Sequence, residues 1–308
     1  YSFDRLSDLN LKDLIPLFKN VFNKNYSEQY LINRYNTEVF GTKYIGYIAY
    51  DENNNPAAYY GVFPVLIEYK GNTILAVQSG DTMTHTEHRG KGLFIKLALK
   101  TYELAKNHGI KFVFGFPNKN SYPGFVNKLN WTHEENIKRY QLLIFTFPMC
   151  EIAKRLKWLT PFYEKYLNWF LSFYKCEAKI CKSSLIDEQS GGIKRDQRYF
   201  DYKSSSKTFL LKVNNITTWI KVDGQMGIGD IERNGLKDFT KIIKKLKLVA
   251  FCLGVVRIVF YVSPNSYWDK LLSTKYKSSE GLPIGYLNFD SDIPLDKIKY
   301  SYGDFDTF

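Results

Sequence analysis

Between residues 73 and 116 the chain reads as strand, glycine-rich turn, helix and strand. Residues 73–84 read as a strand. His88-Arg89-Gly90-Lys91-Gly92-Leu93-Phe94 makes a turn, and Phe94, Leu97, Thr101 and Leu104 then fall on one helical face. Gly109 stops that helix, and 110–116 is an apolar strand. Two strands joined through a helix run parallel, with a right-handed crossover. Upstream, strands at 44–50, 57–69 and 73–84 are separated only by the turn clusters 51–56 and Lys70-Gly71-Asn72, so they form an antiparallel meander. A meander that passes into a parallel step predicts a mixed central sheet flanked by helices, an α/β (α+β) fold.

The rest of the chain is organised around that unit. Leu11, Leu14, Ile15, Phe18 and Phe22 recur at helical spacing, and Ser27 caps a second helix running to about Tyr35, so the first forty residues or so read as helical. In 149–182, Ile152, Leu156, Leu159, Tyr163, Tyr166, Trp169 and Phe173 stand three and four apart; Pro161 splits them into two amphipathic helices, with Thr160 as the cap. Residues 182–207 are mostly polar and read as connection. The last hundred residues repeat the first half in weaker form: a strand at 217–222, Arg233-Asn234-Gly235-Leu236, a helix, Gly254, and a strand at 255–262. Ser263-Pro264-Asn265-Ser266-Tyr267 echoes Phe116-Pro117-Asn118-Lys119-Asn120-Ser121-Tyr122. The simplest account is a duplicated fold unit. The expected boundaries are 1–148 for the first domain, 149–204 for a helical connection and 205–308 for the degenerate second copy.

Composition removes several function classes. Hydrophobic residues make up 44% and charged residues 24% of 308, which is globular rather than disordered. No apolar run reaches the ~18–20 residues of a membrane helix. The four cysteines, Cys150, Cys176, Cys181 and Cys252, include no C-x-x-C pair, and there are only four histidines, so neither a structural zinc site nor any other metal centre is expected. They read as reduced thiols, and no secretory signal pattern opens the chain; the expectation is a cytoplasmic protein. Forty-three Lys and Arg against 31 Asp and Glu leave +12, which favours anionic partners without choosing among them.

The glycine turn carries the chemistry. A strand-to-helix turn exposes backbone N–H groups where the helix dipole adds positive charge, so a phosphate or pyrophosphate can sit there. Gly90 and Gly92 allow close approach, and Arg89 and Lys91 add charge; a tight turn with solvated basic residues is the plain alternative. A P-loop would need G-x-x-x-x-G-K-[ST], and a Rossmann site would need G-x-G-x-x-G after the first parallel strand. Neither is present. The stretch Met83-Thr84-His85-Thr86-Glu87-His88-Arg89-Gly90-Lys91-Gly92-Leu93-Phe94 instead resembles the acyl-CoA-binding motif of the GNAT N-acetyltransferase superfamily, and the order of elements over residues 1–140 resembles that fold. The second half resembles a second, GNAT-like C-terminal unit more faintly. The resemblance implies acetyl-CoA as cosubstrate. Arg89, Gly90, Lys91, Gly92, Leu93 and Phe94 would hold its pyrophosphate, Met83 and Thr84 would pair with the pantetheine amides, and Asn118 would touch the pantetheine arm.

This sequence departs from the pattern in three places. Thr86 replaces a proline. Phe94 replaces a final Gly or Ala, and its ring faces either the core or the phosphates. Val126 stands where the family often has the tyrosine that protonates the leaving thiolate. Tyr122, one helical turn earlier, is the substitute acid, or else bonds to backbone. Asp81, on the strand entering the site, is the candidate base, or else holds a loop N–H; His85 and His88 read as surface residues. In the second copy Arg233-Asn234-Gly235-Leu236 has one glycine and no lysine in the turn, so that unit is expected to have lost CoA binding and to wall the acceptor pocket. Gly303-Asp304-Phe305-Asp306 puts two carboxylates on a terminal strand, as acceptor ligands or solvated charges.

For helices 149–182 three readings stay open: core packing, a wall of the acceptor cleft, or weak contact with a membrane surface through Lys154, Arg155, Lys157, Trp158 and Trp169. The expected activity is acetyl transfer to a primary amine of a small polar acceptor, with an amino sugar or sugar nucleotide as first choice and no nucleic acid partner. The rivals are a Fem-type aminoacyl transferase acting on cell-wall precursors, and a non-catalytic CoA-binding module.

Overall fold

A computed structural model describes residues 1–176, 182–203, 207–233 and 236–308. It divides into two compact units: Tyr1–Glu135 with Leu282–Asp296, and Asn136–Gly281 with Lys297–Phe308.

The first unit runs β1 (Ser2–Arg5), α1 (Leu14–Phe22), α2 (Glu28–Tyr35), β2 (Ile45–Tyr50), β3 (Pro56–Tyr69), β4 (Asn72–Thr84), α3 (Leu93–Asn107), β5 (Phe112–Gly115), α4 (Tyr122–Leu129) and the start of β6 (Thr132–Leu143). β1 to β4 pair antiparallel in sequence order, and β4 pairs parallel with β5. Strand alternation sends Tyr59 and Tyr60 to opposite faces. Tyr59 joins Leu14, Leu17, Phe18, Phe63 and Met83 under α1 and α2. Tyr60 joins Val62, Val77, Leu93, Leu97 and Val113 under α3 and α4. β3 is therefore covered on both sides, which is why nine of its residues in succession are buried. The opening strand β1 was not legible in the sequence. It is a four-residue edge strand with no fully buried residue, too short to show a period.

The second unit continues with α5 (Met149–Arg155), α6 (Thr160–Ser172), β7 (Gly192–Ile193), α7 (Gln197–Lys203), β8 (Thr208–Val213), β9 (Ile216–Val222), β10 (Met226–Ile231), α8 (Leu236–Cys252), β11 (Arg257–Val262), α9 (Tyr267–Leu272) and β12 (Ser278–Asn288). β8, β9 and β10 form an antiparallel meander, and α8 crosses to β11, which pairs parallel with β10. This is the order of β2, β3, β4, α3 and β5. In each unit the parallel partner also takes an antiparallel neighbour from far along the chain. Residues 285–288 of β12 pair with β5, and residues 138–143 of β6 pair with β11.

Several expectations change. Residues 197–203 form a helix inside the stretch read as connection, anchored by buried Tyr199, Phe200 and Lys203. Thr160 is the first residue of α6 rather than its cap, and its hydroxyl donates to the Ala153 carbonyl at 2.8 Å. The terminal carboxylates do not stand on a strand. Asp304 ends a 3-10 turn and is fully buried, 2.6 Å from Arg195 Nη2. Burial outweighs that partner and raises the Asp304 carboxyl above its ordinary range. Residues 149–176 and 182–203 belong with the second unit, where Leu167 and Leu171 pack with Leu246, Val249 and Ala250. Cys150 and Cys252 are free thiols. Cys181, the serines 204–206, Asn234 and Gly235 lie outside the described residues.

Candidate active site

The site is built where β4 and β5 part company. Their parallel pairing covers Val77 with Val113 and Gln78 with Phe114. One step on, β4 breaks register with β3: Gly61 faces Gly80 but Tyr59 faces Met83, so β4 uses three steps against two. That is a β-bulge, which bends the strand and increases its twist. Asp81 lies within it at φ 51°, the left-handed region that short polar residues tolerate best after glycine. Its carboxylate is fully engaged. Arg34 Nε and Nη2 donate to its two oxygens at 2.6 and 2.8 Å, and the Tyr35 hydroxyl donates at 3.0 Å. Arg34 in turn lies 5.0 Å from the Phe63 ring centre. The bulge is thus tied to α2, and sequence spacing alone offered no sign of the Arg34 and Tyr35 contacts.

Beyond Thr84 the chain turns into α3 through a loop held from outside. Asn20 Oδ1 accepts the Thr86 N–H at 3.1 Å, and His88 Nδ1 lies 2.8 Å from the Tyr1 hydroxyl. His85 and His88 are half-buried and serve this loop, the first accepting the Glu87 N–H at 3.4 Å. Gly90 and Gly92 have φ of 76° and 74°, and no atom lies within 4 Å of a Cβ added at either. Gly92 immediately precedes α3, and no side chain caps the helix. The first N–H groups of α3 are thus left without a side-chain acceptor beside exposed Arg89 and Lys91, at the positive end of a fifteen-residue helix.

Phe94 faces the core. Its ring centre lies 5.8 Å from that of Tyr60 and 5.2 Å from that of Phe125, and its Cε1 is 2.8 Å from where a Cβ on Gly124 would stand. The bulky residue at the head of α3 is accommodated because α4 carries glycine opposite it, and the amide cradle stays open. Leu93 is also buried.

The β5 side supplies the remaining candidates. Asn118 Oδ1 accepts the N–H groups of Asn120 and Ser121 at 2.9 and 3.1 Å, so it shapes the approach to α4. Tyr122 opens α4, half-buried, with its ring edge-on to His133 at 5.6 Å. Its hydroxyl has no hydrogen-bond partner among the described residues. Val126 follows one turn later, inside α4. Since β4 and β5 are parallel, their carboxyl ends lie on one side, and the candidates 81–94 and 118–122 gather there. Open α/β sheets bind ligands at that end.

Two further features support the site from below. Gly115 faces Gly285 across the strand pair, and the Trp131 ring lies over both, 3.4 and 3.0 Å from the Cβ positions they lack. Trp131 Nε1 donates to the Tyr102 hydroxyl at 3.0 Å. That hydroxyl lies 2.8 Å from the Tyr60 hydroxyl, which in turn lies 2.9 Å from Ser79 Oγ on β4. Burial holds both phenols above their ordinary range, so they remain neutral hydrogen-bonding groups.

Residues 2–133 match the family described as the acetyltransferase (GNAT) domain. Residues 2–133 are a GNAT acetyltransferase domain. The protein is accordingly an acyltransferase. No curated protein matches the sequence. Solved structures match over nearly the whole chain at low identity. A conserved protein of unknown function from Enterococcus faecalis has 11% identity and a TM-score of 0.58, covering 93% of this chain and 72% of its own. A GCN5-related N-acetyltransferase from Kribbella flavida has 9% identity and a TM-score of 0.58, covering 93% and 71%. A Pyrococcus horikoshii protein provisionally named an acetyltransferase has 13% identity and a TM-score of 0.53, covering 96% and 92%. These likenesses speak to fold, and they extend past the GNAT domain into the second unit.

That second unit has a different ending at the corresponding place. Trp268, on α9, donates its indole N–H to the carbonyl of Ile231, the last residue of β10, at 3.1 Å. An indole thus occupies the strand end that the GNAT domain leaves open.

Proposed function

We propose that the GNAT domain transfers an acetyl group from acetyl-CoA to the primary amine of a small polar acceptor. The observation that carries this reading is the open two-glycine cradle at the head of α3, set at the carboxyl end of a parallel strand pair that separates at a bulge. The amides around Gly92, with Arg89, Lys91 and Leu93, take the pyrophosphate, and Phe94 stays in the core. The edge of β4 at Met83 and Thr84, beyond its pairing with β5, accepts the pantetheine amides as an added strand. Asn118 holds the loop that borders the pantetheine arm.

In the proposed step the neutral amine attacks the thioester carbonyl carbon. A strand N–H stabilises the oxyanion. As the carbon–sulfur bond breaks, the departing thiolate takes the proton of the Tyr122 hydroxyl, and the proton shed by the attacking nitrogen passes through water to the phenolate and restores it. Asp81 is better suited to hold the bulge than to accept a proton, because Arg34 and Tyr35 already occupy both its oxygens. The acceptor proposed first is an amino sugar or sugar nucleotide, a choice supported by the +12 charge. Calorimetric titration of acetyl-CoA into the whole chain tests the cradle. Micromolar binding, abolished in Gly92→Asp by a carboxylate set against the pyrophosphate, is the expected result; equal affinity in the variant refutes the assignment.

A further inference from the structure

In the second unit, the apolar surface of α6 extends past its buried face onto an exposed flank. Its inner face seats Leu167 and Leu171 in the core, and the hydroxyls of Tyr163 and Tyr166 donate to the carbonyls of Leu253 and Cys252 at 2.9 and 2.8 Å. The adjoining flank carries Phe162 and Trp169, with Phe173 at the helix end, which are 69%, 58% and 68% exposed, and Trp158 (68%) stands in the turn just before it. A surface helix ordinarily turns polar residues outward.

The apolar surface continues beyond the helix. Thr146 Oγ1 donates to the Phe251 carbonyl at 2.9 Å, which brings the segment holding Phe145 and Phe147 to the same end of α8 that α6 grips. Phe145 is fully exposed, and Phe147 and Phe251 are largely so. Exposed aromatics gathered in this way exceed what a monomer's surface normally carries and mark a contact surface.

Charge identifies the occupant. The acidic groups here are matched: Glu151 with Arg257, Glu164 with Lys207 at 2.7 Å, and Asp223 with Lys154 at 2.7 Å. Arg155, Lys157 and Lys165 are exposed and have no carboxylate partner among the described residues. Protruding Trp and Phe ringed by unmatched Lys and Arg is the composition that settles at the headgroup level of an anionic bilayer. No described helix is long and apolar enough to cross a membrane, so the contact is peripheral.

We propose that this face of the second unit binds the surface of anionic phospholipid membranes. The test is flotation of the whole chain with phosphatidylcholine vesicles, with and without phosphatidylglycerol. The chain should float with phosphatidylglycerol present and bind neutral vesicles at least about tenfold more weakly, since each basic residue near an anionic surface contributes about fivefold. Trp158→Ser with Phe162→Ser should weaken binding at least about tenfold. Arg155→Glu with Lys157→Glu should erase the preference for phosphatidylglycerol. All four side chains are exposed, so circular dichroism should be unchanged. A measurement on the unaltered chain stands beside these: brominated lipid should quench part of the tryptophan emission, because Trp158 and Trp169 face outward while Trp131, Trp219 and Trp268 are buried. No flotation with phosphatidylglycerol vesicles, flotation indifferent to both double variants, or flotation without quenching overturns the proposal. A chain that ignores vesicles but forms dimers lost in Trp158→Ser with Phe162→Ser assigns the face to a second copy instead.

Discussion

The departure from the family pattern at Phe94 and the glycine at 124 are one structural event. The ring of Phe94 occupies space that any side chain at 124 would need. Gly124→Val should therefore destabilise the protein by about 1–3 kcal/mol through overpacking, read as a lowered thermal midpoint, and Phe94→Ala in the same chain should recover most of it. Full stability in the single variant would show that α4 yields instead. Tyr122 is the other residue whose role rests on position. Its hydroxyl has no partner among the described residues and it stands on the side of the sheet where the two parallel strands end. Tyr122→Phe should lower kcat about 10²-fold with little change in acetyl-CoA affinity; an unaltered kcat removes it from the mechanism. The sequence showed both tyrosine and phenylalanine as candidates. It did not show which way the Phe94 ring turns, because that depends on a glycine thirty positions away.

The β4 bulge is the element on which the site turns. It lies in the β3–β4 ladder just past the last β4–β5 pair, and Asp81 stands within it in a left-handed conformation under a double hydrogen bond from Arg34. Asp81 was legible as a carboxylate at the site and was read as a base. Its partners come from α2, forty-six and forty-seven residues earlier, and no local pattern announces them. Asp81→Asn separates the two roles, since asparagine also accepts the left-handed backbone. Acetyl-CoA affinity and kcat should stay within about threefold of the parent if Asp81 only holds the bulge, whereas a base would lose about 10²–10⁴-fold in kcat. The glycine turn contrasts with this. Its strand–turn–helix context is local in sequence, so residues 89–94 could be located before any tertiary information.

At the scale of the molecule, the two units share an order of elements, and in each the parallel partner strand is completed by a segment far along the chain. β5 is completed by residues 285–288, so the unit that holds the GNAT domain also draws on residues outside the matched stretch. A chain ended at residue 204 should lose its cooperative melt and its acetyl-CoA binding together, because the free edge of β5 and the Trp131 ring beside Gly115 would both be uncovered. A truncated chain that melts normally and binds acetyl-CoA would show that β5 tolerates an open edge. The sequence by itself determined the mixed sheet, the crossover through α3, the glycine turn at its head and the weak repeat. Those follow from hydrophobic period and from glycines at turns, which act over a few residues. Tertiary structure decided which strand closes β5, what holds Asp81, and where Asp304 goes: into a buried pair with Arg195 rather than onto a solvated strand. Each of these is a pairing between residues tens to hundreds of positions apart, and a local pattern carries no record of a partner it meets only when the chain is folded.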